Sequence, residues 1–137
     1  MYTNIQTPPA LCLIENFLFD NNERWTHYNP TALVDALKLV MRNNIFRFGD
    51  CWFKQKTGTA MGTPPAPPWA TIFYSLHEDT LLDRFGDHLL LYRRFIDDVL
   101  GIWLCHPDPA TDEQLWNEFQ RLVDDFHGLT WEFIPRG

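Results

Sequence analysis

The sequence predicts an α+β fold built from helices alternating with antiparallel hairpins. Apolar residues recur at helical spacing in four stretches, and short β-rich runs come in pairs closed by tight polar turns. The chain has 137 residues, of which 45% are hydrophobic and 21% charged, so it can bury a core and is too apolar for disorder.

Met1-Tyr2-Thr3-Asn4-Ile5 reads as the close of a strand. Thr7-Pro8-Pro9 then opens a helix, since proline tolerates the first turn, and Ala10, Leu11, Ile14, Phe17 and Leu18 repeat along it until Asn21-Asn22. Asn29-Pro30-Thr31 opens a second helix with the stripe Leu33, Ala36, Leu37, Val40 and Met41, closing at Asn43-Asn44. Residues 45–48 and 51–55 flank Gly49-Asp50 as a hairpin. Residues 57–68, rich in glycine and proline, read as a loop. A third helix over 69–85 carries Trp69, Ile72, Phe73, Leu76 and Leu82, and Gly86-Asp87 breaks it. Residues 88–95 and 99–105 form a second hairpin around Asp97-Asp98, with the third helix beneath it. A turn at 106–109 leads to a last helix over 112–126, with Leu115, Trp116, Phe119, Leu122 and Val123 inward, and residues 129–134 read as a strand. Both ends fall inside elements, so the expectation is a segment of a longer protein.

Several chemistries are excluded. Ser75 is the only serine and lies mid-helix, and the five histidines never pair at i, i+4, which removes serine-hydrolase and zinc-helix readings. No phosphate loop with a Gly-Lys-Ser/Thr ending occurs. Cys12, Cys51 and Cys105 form no Cys-x-x-Cys pair and read as buried thiols in a reducing compartment. No apolar run is long enough for a membrane span, and no leader is evident, so the expected setting is intracellular, nuclear or cytoplasmic alike. The net charge of −7 argues against a free-standing nucleic-acid binder.

Asp97 and Asp98 stand out. Adjacent carboxylates in a turn can converge on one volume, and hard oxygen donors suit Mg²⁺. Asp-Asp is also ordinary turn chemistry. Gly58 and Gly62 allow a ligand close to the backbone, and amides ahead of a helix N-terminus can cradle phosphate. The prolines of the same loop could alternatively form a polyproline docking segment.

In order, these pieces resemble the palm of a reverse transcriptase, most closely the Penelope-like retroelement branch. Met1 to Ile5 resembles the tail of the first palm motif. Gln55 and the run from Gly58 to Pro64, with Ala66, Pro67 and Ala70, resembles the second. Phe95-Ile96-Asp97-Asp98 resembles the catalytic x-x-Asp-Asp box, and residues 116–133 resemble the fourth motif. The resemblance covers nearly the whole chain. It implies a partial reverse transcriptase domain over residues 1–137, a palm-type antiparallel sheet with helices on one face and a small hairpin insertion at about 45–56. It also implies an RNA-directed DNA polymerase adding deoxynucleotides to a primer 3′ end.

Under that resemblance Asp97 and Asp98 are the catalytic metal ligands, with Mg²⁺ as cofactor and Mn²⁺ as the alternative. Tyr2, Met61 and Gly62 shape the nucleotide site, and Arg93, Arg94, Lys54 and Lys56 meet nucleic acid. The partners implied are an RNA or DNA template with its primer, deoxynucleoside triphosphates and the rest of the parent polymerase, with no membrane. The family's first-motif Asp would precede Met1, and fingers and thumb lie outside the chain. No lysine follows Lys56, so the fourth-motif lysine is absent, with Arg136 or His127 as substitutes. The chain by itself is therefore expected to be inactive. The acidic balance then belongs to supporting helices, including Asp112, Glu113, Glu118, Asp124 and Asp125. The alternative is a non-catalytic palm remnant or interaction domain.

Overall fold

The computed structural model describes residues 4–60 and 62–134. They form an α+β chain of four α-helices and two separate two-stranded antiparallel ribbons. Helix α1 spans Thr7–Asp20 and α2 spans Pro30–Arg42, with a 3-10 turn at Asn22–Trp25 between them. Strands β1 (Ile45–Phe48) and β2 (Cys51–Lys54) precede helix α3 (Ala66–Phe85). Strands β3 (Leu89–Phe95) and β4 (Asp98–Trp103) precede α4 (Pro109–Asp124). The chain divides into two compact units, Met1–Phe73 and Tyr74–Gly137, with the division inside α3.

In the first unit, α1 and α2 pack together and Lys38 pairs with Glu15 at 3.0 Å. The side chains buried around these two helices include Ile5, Ala10, Leu11 and Ile14, with Val34 and Met41 from α2. Asn29 caps α2: its Oδ1 accepts from the Thr31 and Ala32 amides at 3.0 and 3.3 Å, and Pro30 follows at N1. The α2 stripe differs from the expected one, because Leu33, Ala36 and Val40 face solvent and only Val34 and Met41 are fully buried. The run Ala32 to Leu37 is apolar nearly all round, so periodicity could not choose the face.

Helix α3 begins three residues before its expected start. Its buried positions, Ala66, Trp69, Ala70, Phe73, Tyr74, His77, Glu78, Leu81 and Phe85, follow one another at steps of three, four or one. Ile72 and Leu82, assigned to that face from sequence, are exposed. The buried stripe contains a histidine and a glutamate, which an apolar-only scan skips. Gly86 ends the helix, and a Cβ there would lie 2.7 Å from the Leu82 carbonyl oxygen.

The core of the second unit gathers Leu81, Phe85, Phe119 and Val123, with Leu89, Trp103, Trp116, Leu122, Trp131 and Phe133 packed around them. Phe119 meets Phe85 edge-on at 5.4 Å between ring centres. Asp108 caps α4, its Oδ2 accepting from the Thr111 amide at 3.0 Å and the Thr111 hydroxyl at 2.6 Å. That capping starts α4 at Pro109, ahead of the expected Asp112.

Residues 129–134 do not form a strand. A turn with positive φ at His127 (49°) and Gly128 (77°) closes a single bridge between Phe126 and Leu129, and the chain then runs on with no strand partner among the described residues. β-rich composition makes a strand only where an edge is there to pair with. The described strands pair as two separate two-stranded antiparallel ribbons. Asn4 and Ile5 are not in a strand either, and the rest of that expected strand lies outside the described residues. All three cysteines, expected to be buried, are exposed.

Candidate metal centre at the carboxylate turn

Strands β3 and β4 pair from Phe95↔Asp98 through Tyr92↔Gly101, so Ile96 and Asp97 form a two-residue turn. Such turns need positive φ at the first central position, and Ile96 supplies it at 56°. A β-branched residue pays for that conformation in steric strain, because its Cβ crowds the following carbonyl. Asp97 occupies the turn and Asp98 opens β4. Both are exposed, and neither forms an ion pair among the described residues.

Both carboxylates line a cleft of about 830 Å³ within the second unit, whose wall includes Trp103, Trp116, Trp131 and Phe133. The outer edge of β4 borders the same cleft and has no strand partner among the described residues. No group of three or more metal-binding side chains occurs among the described residues. Adjacent exposed carboxylates of this kind are hard oxygen donors.

Directly behind the turn, Arg94 is fixed rather than free. Its side chain is 6% exposed and makes bonds of 2.6 and 2.8 Å to the two Glu78 oxygens, while Nη1 donates to the Ile96 carbonyl at 3.0 Å. The guanidinium also lies 5.1 Å from the centre of the Tyr74 ring. Burial opposes its charge, yet the hydrogen bonding and charge of Glu78 hold its pKa above the usual arginine value. Burial first, and then the Glu78 charge, raise the Tyr74 and Tyr92 hydroxyls far above ordinary tyrosine. The expected contact of Arg94 with nucleic acid gives way to this buried pair, while Arg93 is exposed on β3. Within this unit the hairpin is backed by Tyr74, Glu78, Leu81 and Phe85.

Asp112 is the residue that sequence reasoning misplaced most clearly. It is buried, and its Oδ1 accepts from Trp103 Nε1 at 3.0 Å and from the His106 amide at 2.9 Å. This carboxylate ties the end of β4 to the start of α4. Its spacing held the signal, since Asp112 precedes Trp116, Phe119 and Val123 by four, seven and eleven residues and so shares their inward face.

The other expected site residues lie in the first unit. Lys54 and Lys56 are exposed, and Gly62 is exposed with φ 87°. Tyr2 and Met61 lie outside the described residues. At the start of α3 the first amides are already engaged. Ala66 N donates to Thr63 O at 3.0 Å and Trp69 N to Pro65 O at 3.0 Å, and Pro67 and Pro68 have no N–H. Gly58 (φ 77°) and Gly62 still give the preceding loop its left-handed bends.

No helix among the described residues is long and apolar enough to cross a membrane. Compared with protein-family profiles, curated proteins and solved structures, the chain matches none.

Proposed function

We propose that this chain supplies the carboxylate turn of a palm-type RNA-directed DNA polymerase, one that extends a primer 3′ end with deoxynucleotides. The observation that carries the reading is the position of Asp97 and Asp98. They are adjacent, exposed and without cationic partners among the described residues, at a hairpin turn that opens on a cleft. Mg²⁺, or Mn²⁺ in its place, would be held by these carboxylates and would stabilise the attacking and leaving oxygens of nucleotidyl transfer.

The chain's own residues set the position of the carboxylates. The β3–β4 register fixes the turn, and Arg94 draws the Ile96 carbonyl toward the Glu78 pair. Because both groups of that pair are consumed by each other, the two aspartates remain free to take a cation. Arg93, Lys54 and Lys56 are the exposed cations available to nucleic acid, and Gly62 contributes open backbone to a nucleotide site.

Two carboxylates are a sparse ligand set, so substrate phosphates must complete the coordination. Mn²⁺ titration followed by amide NMR should broaden Phe95 to Val99 selectively, and Asp97→Asn should remove that broadening. Primer extension by the polypeptide that carries this segment together with a first-motif Asp should stop with the same substitution. Extension that survives Asp97→Asn would end the polymerase reading.

A further inference from the structure

The β1–β2 ribbon exposes all eight of its residues, including Phe48 at 79% and Trp52 at 70%. Its register sets Phe46 opposite Phe53 and Phe48 opposite Cys51 on one face. The other face carries Arg47 opposite Trp52 and Ile45 opposite Lys54. Phe46 and Phe53 stack at 5.6 Å, and the Arg47 guanidinium lies 6.0 Å from the Trp52 ring centre.

Charge sharpens the picture. Residues 42–56 hold four cations (Arg42, Arg47, Lys54, Lys56) and one carboxylate, Asp50, within a chain of net charge −7. Asp50 is taken by Arg47 at 3.1 Å, while Arg42, Lys54 and Lys56 have no ion pair among the described residues. An acidic peptide would satisfy the cations and leave the rings in water. An apolar partner would cover the rings and strand the cations. A chain of phosphates bearing flat bases satisfies both.

We propose that this ribbon binds single-stranded nucleic acid on its Arg47/Trp52/Lys54 face, with Trp52 stacking on an unpaired base and Arg42, Lys54 and Lys56 facing the phosphates. Unpaired bases are required because a duplex buries the base faces that the ring needs. The ribbon belongs to the first unit, and the inference does not depend on the metal-site reading.

The test is fluorescence anisotropy of short labelled thymidine and uridine oligonucleotides with the full 137-residue chain, in EDTA so that no metal takes part. Three phosphate contacts predict a log–log salt slope of about −2. Lys54→Gln with Lys56→Gln should reduce it to about −0.7. Trp52→Ala should weaken binding about ten-fold, whereas Phe48→Ala, on the opposite face, should leave it nearly unchanged. Both side chains are largely exposed, and circular dichroism verifies that the variants fold. Absence of saturable binding would overturn the proposal, as would full affinity in Trp52→Ala. Displacement of the oligonucleotide by polyglutamate, with polyglutamate binding itself weakened by Trp52→Ala, would reassign the ribbon to an acidic protein. Since EDTA removes metal, failure here and failure of the Mn²⁺ titration at Asp97 are separate results.

Discussion

Arg94 grips Glu78 with two hydrogen bonds, Nε to Oε1 at 2.6 Å and Nη2 to Oε2 at 2.8 Å, joining β3 to α3 beneath the carboxylate turn. The side chains are 6% and 11% exposed, so neither charge has water to fall back on. Glu78→Ala or Arg94→Ala should each destabilise the fold by about 3–5 kcal/mol, because each leaves an uncompensated buried charge. Replacing both by apolar residues of similar size should recover most of that loss. Urea denaturation of the two single variants and the double variant checks this, and purely additive losses would contradict it.

His77 predicts a pH effect. Burial lowers its pKa from the ordinary 6.5, opposed by the hydrogen bond from Nε2 to the Leu122 carbonyl at 2.7 Å, and the ring stacks on Phe126 at 4.5 Å. The folded state therefore favours neutral imidazole, and the unfolded chain binds the extra proton. The resulting stabilisation is complete above pH 6.5 and declines as pH falls below that value toward the lowered folded pKa. Thermal melts between pH 8 and 5 should show this decline, and His77→Gln, which retains a donor, should flatten it. An unchanged slope in the variant would assign the effect elsewhere.

Ile96 predicts a gain. Its positive φ of 56° costs a β-branched residue about 1–2 kcal/mol, part of which its half-buried side chain offsets. Ile96→Asn, better suited to that conformation, should raise stability by up to about 1 kcal/mol, whereas Ile96→Val should bring no gain. Chemical denaturation compares them directly. A loss with Asn would mean that side-chain packing outweighs the backbone term.

Asp112 predicts a loss that is local as well as global. Asp112→Ala removes the acceptor for both Trp103 Nε1 and the His106 amide, and should destabilise by about 1–3 kcal/mol per stranded donor. Trp103 should report the change through shifted indole NMR resonances. Asp112→Asn retains an acceptor oxygen and should fall between Ala and the parent.

Much of the local structure was legible because its signals are local. Asn29-Pro30 and Thr7-Pro8 mark helix starts with side chains or ring geometry that act within one turn, and both helices begin there. The second hairpin was legible because two β-rich runs meet at a polar pair, though pairing starts at Asp98 itself and leaves Ile96 in the turn. What escaped depends on partners distant in sequence. The commitment of Arg94 to Glu78, sixteen residues away, and of His77 to Leu122, forty-five away, is invisible to any window. Residues 129–134 look like a strand by composition, but beyond the single Phe126–Leu129 bridge no described strand pairs with them. At the candidate site, the turn and its carboxylates could be read directly, whereas the engagement of the first amides of α3 depends on which carbonyls they reach.

Gly86 gives the second unit its phase. With a Cβ there aimed at the Leu82 carbonyl from 2.7 Å, any other residue must shift the end of α3. One residue more or fewer in the helix would swing the departing chain by about 100°. Glu78 lies eight residues before that stop and Arg94 eight after it. The bare α-carbon at position 86 therefore sits midway along the path that lets the two charges meet, and a substitution there would act as a timing error felt at the aspartate turn. Its signature would be a displaced hairpin on an intact helix.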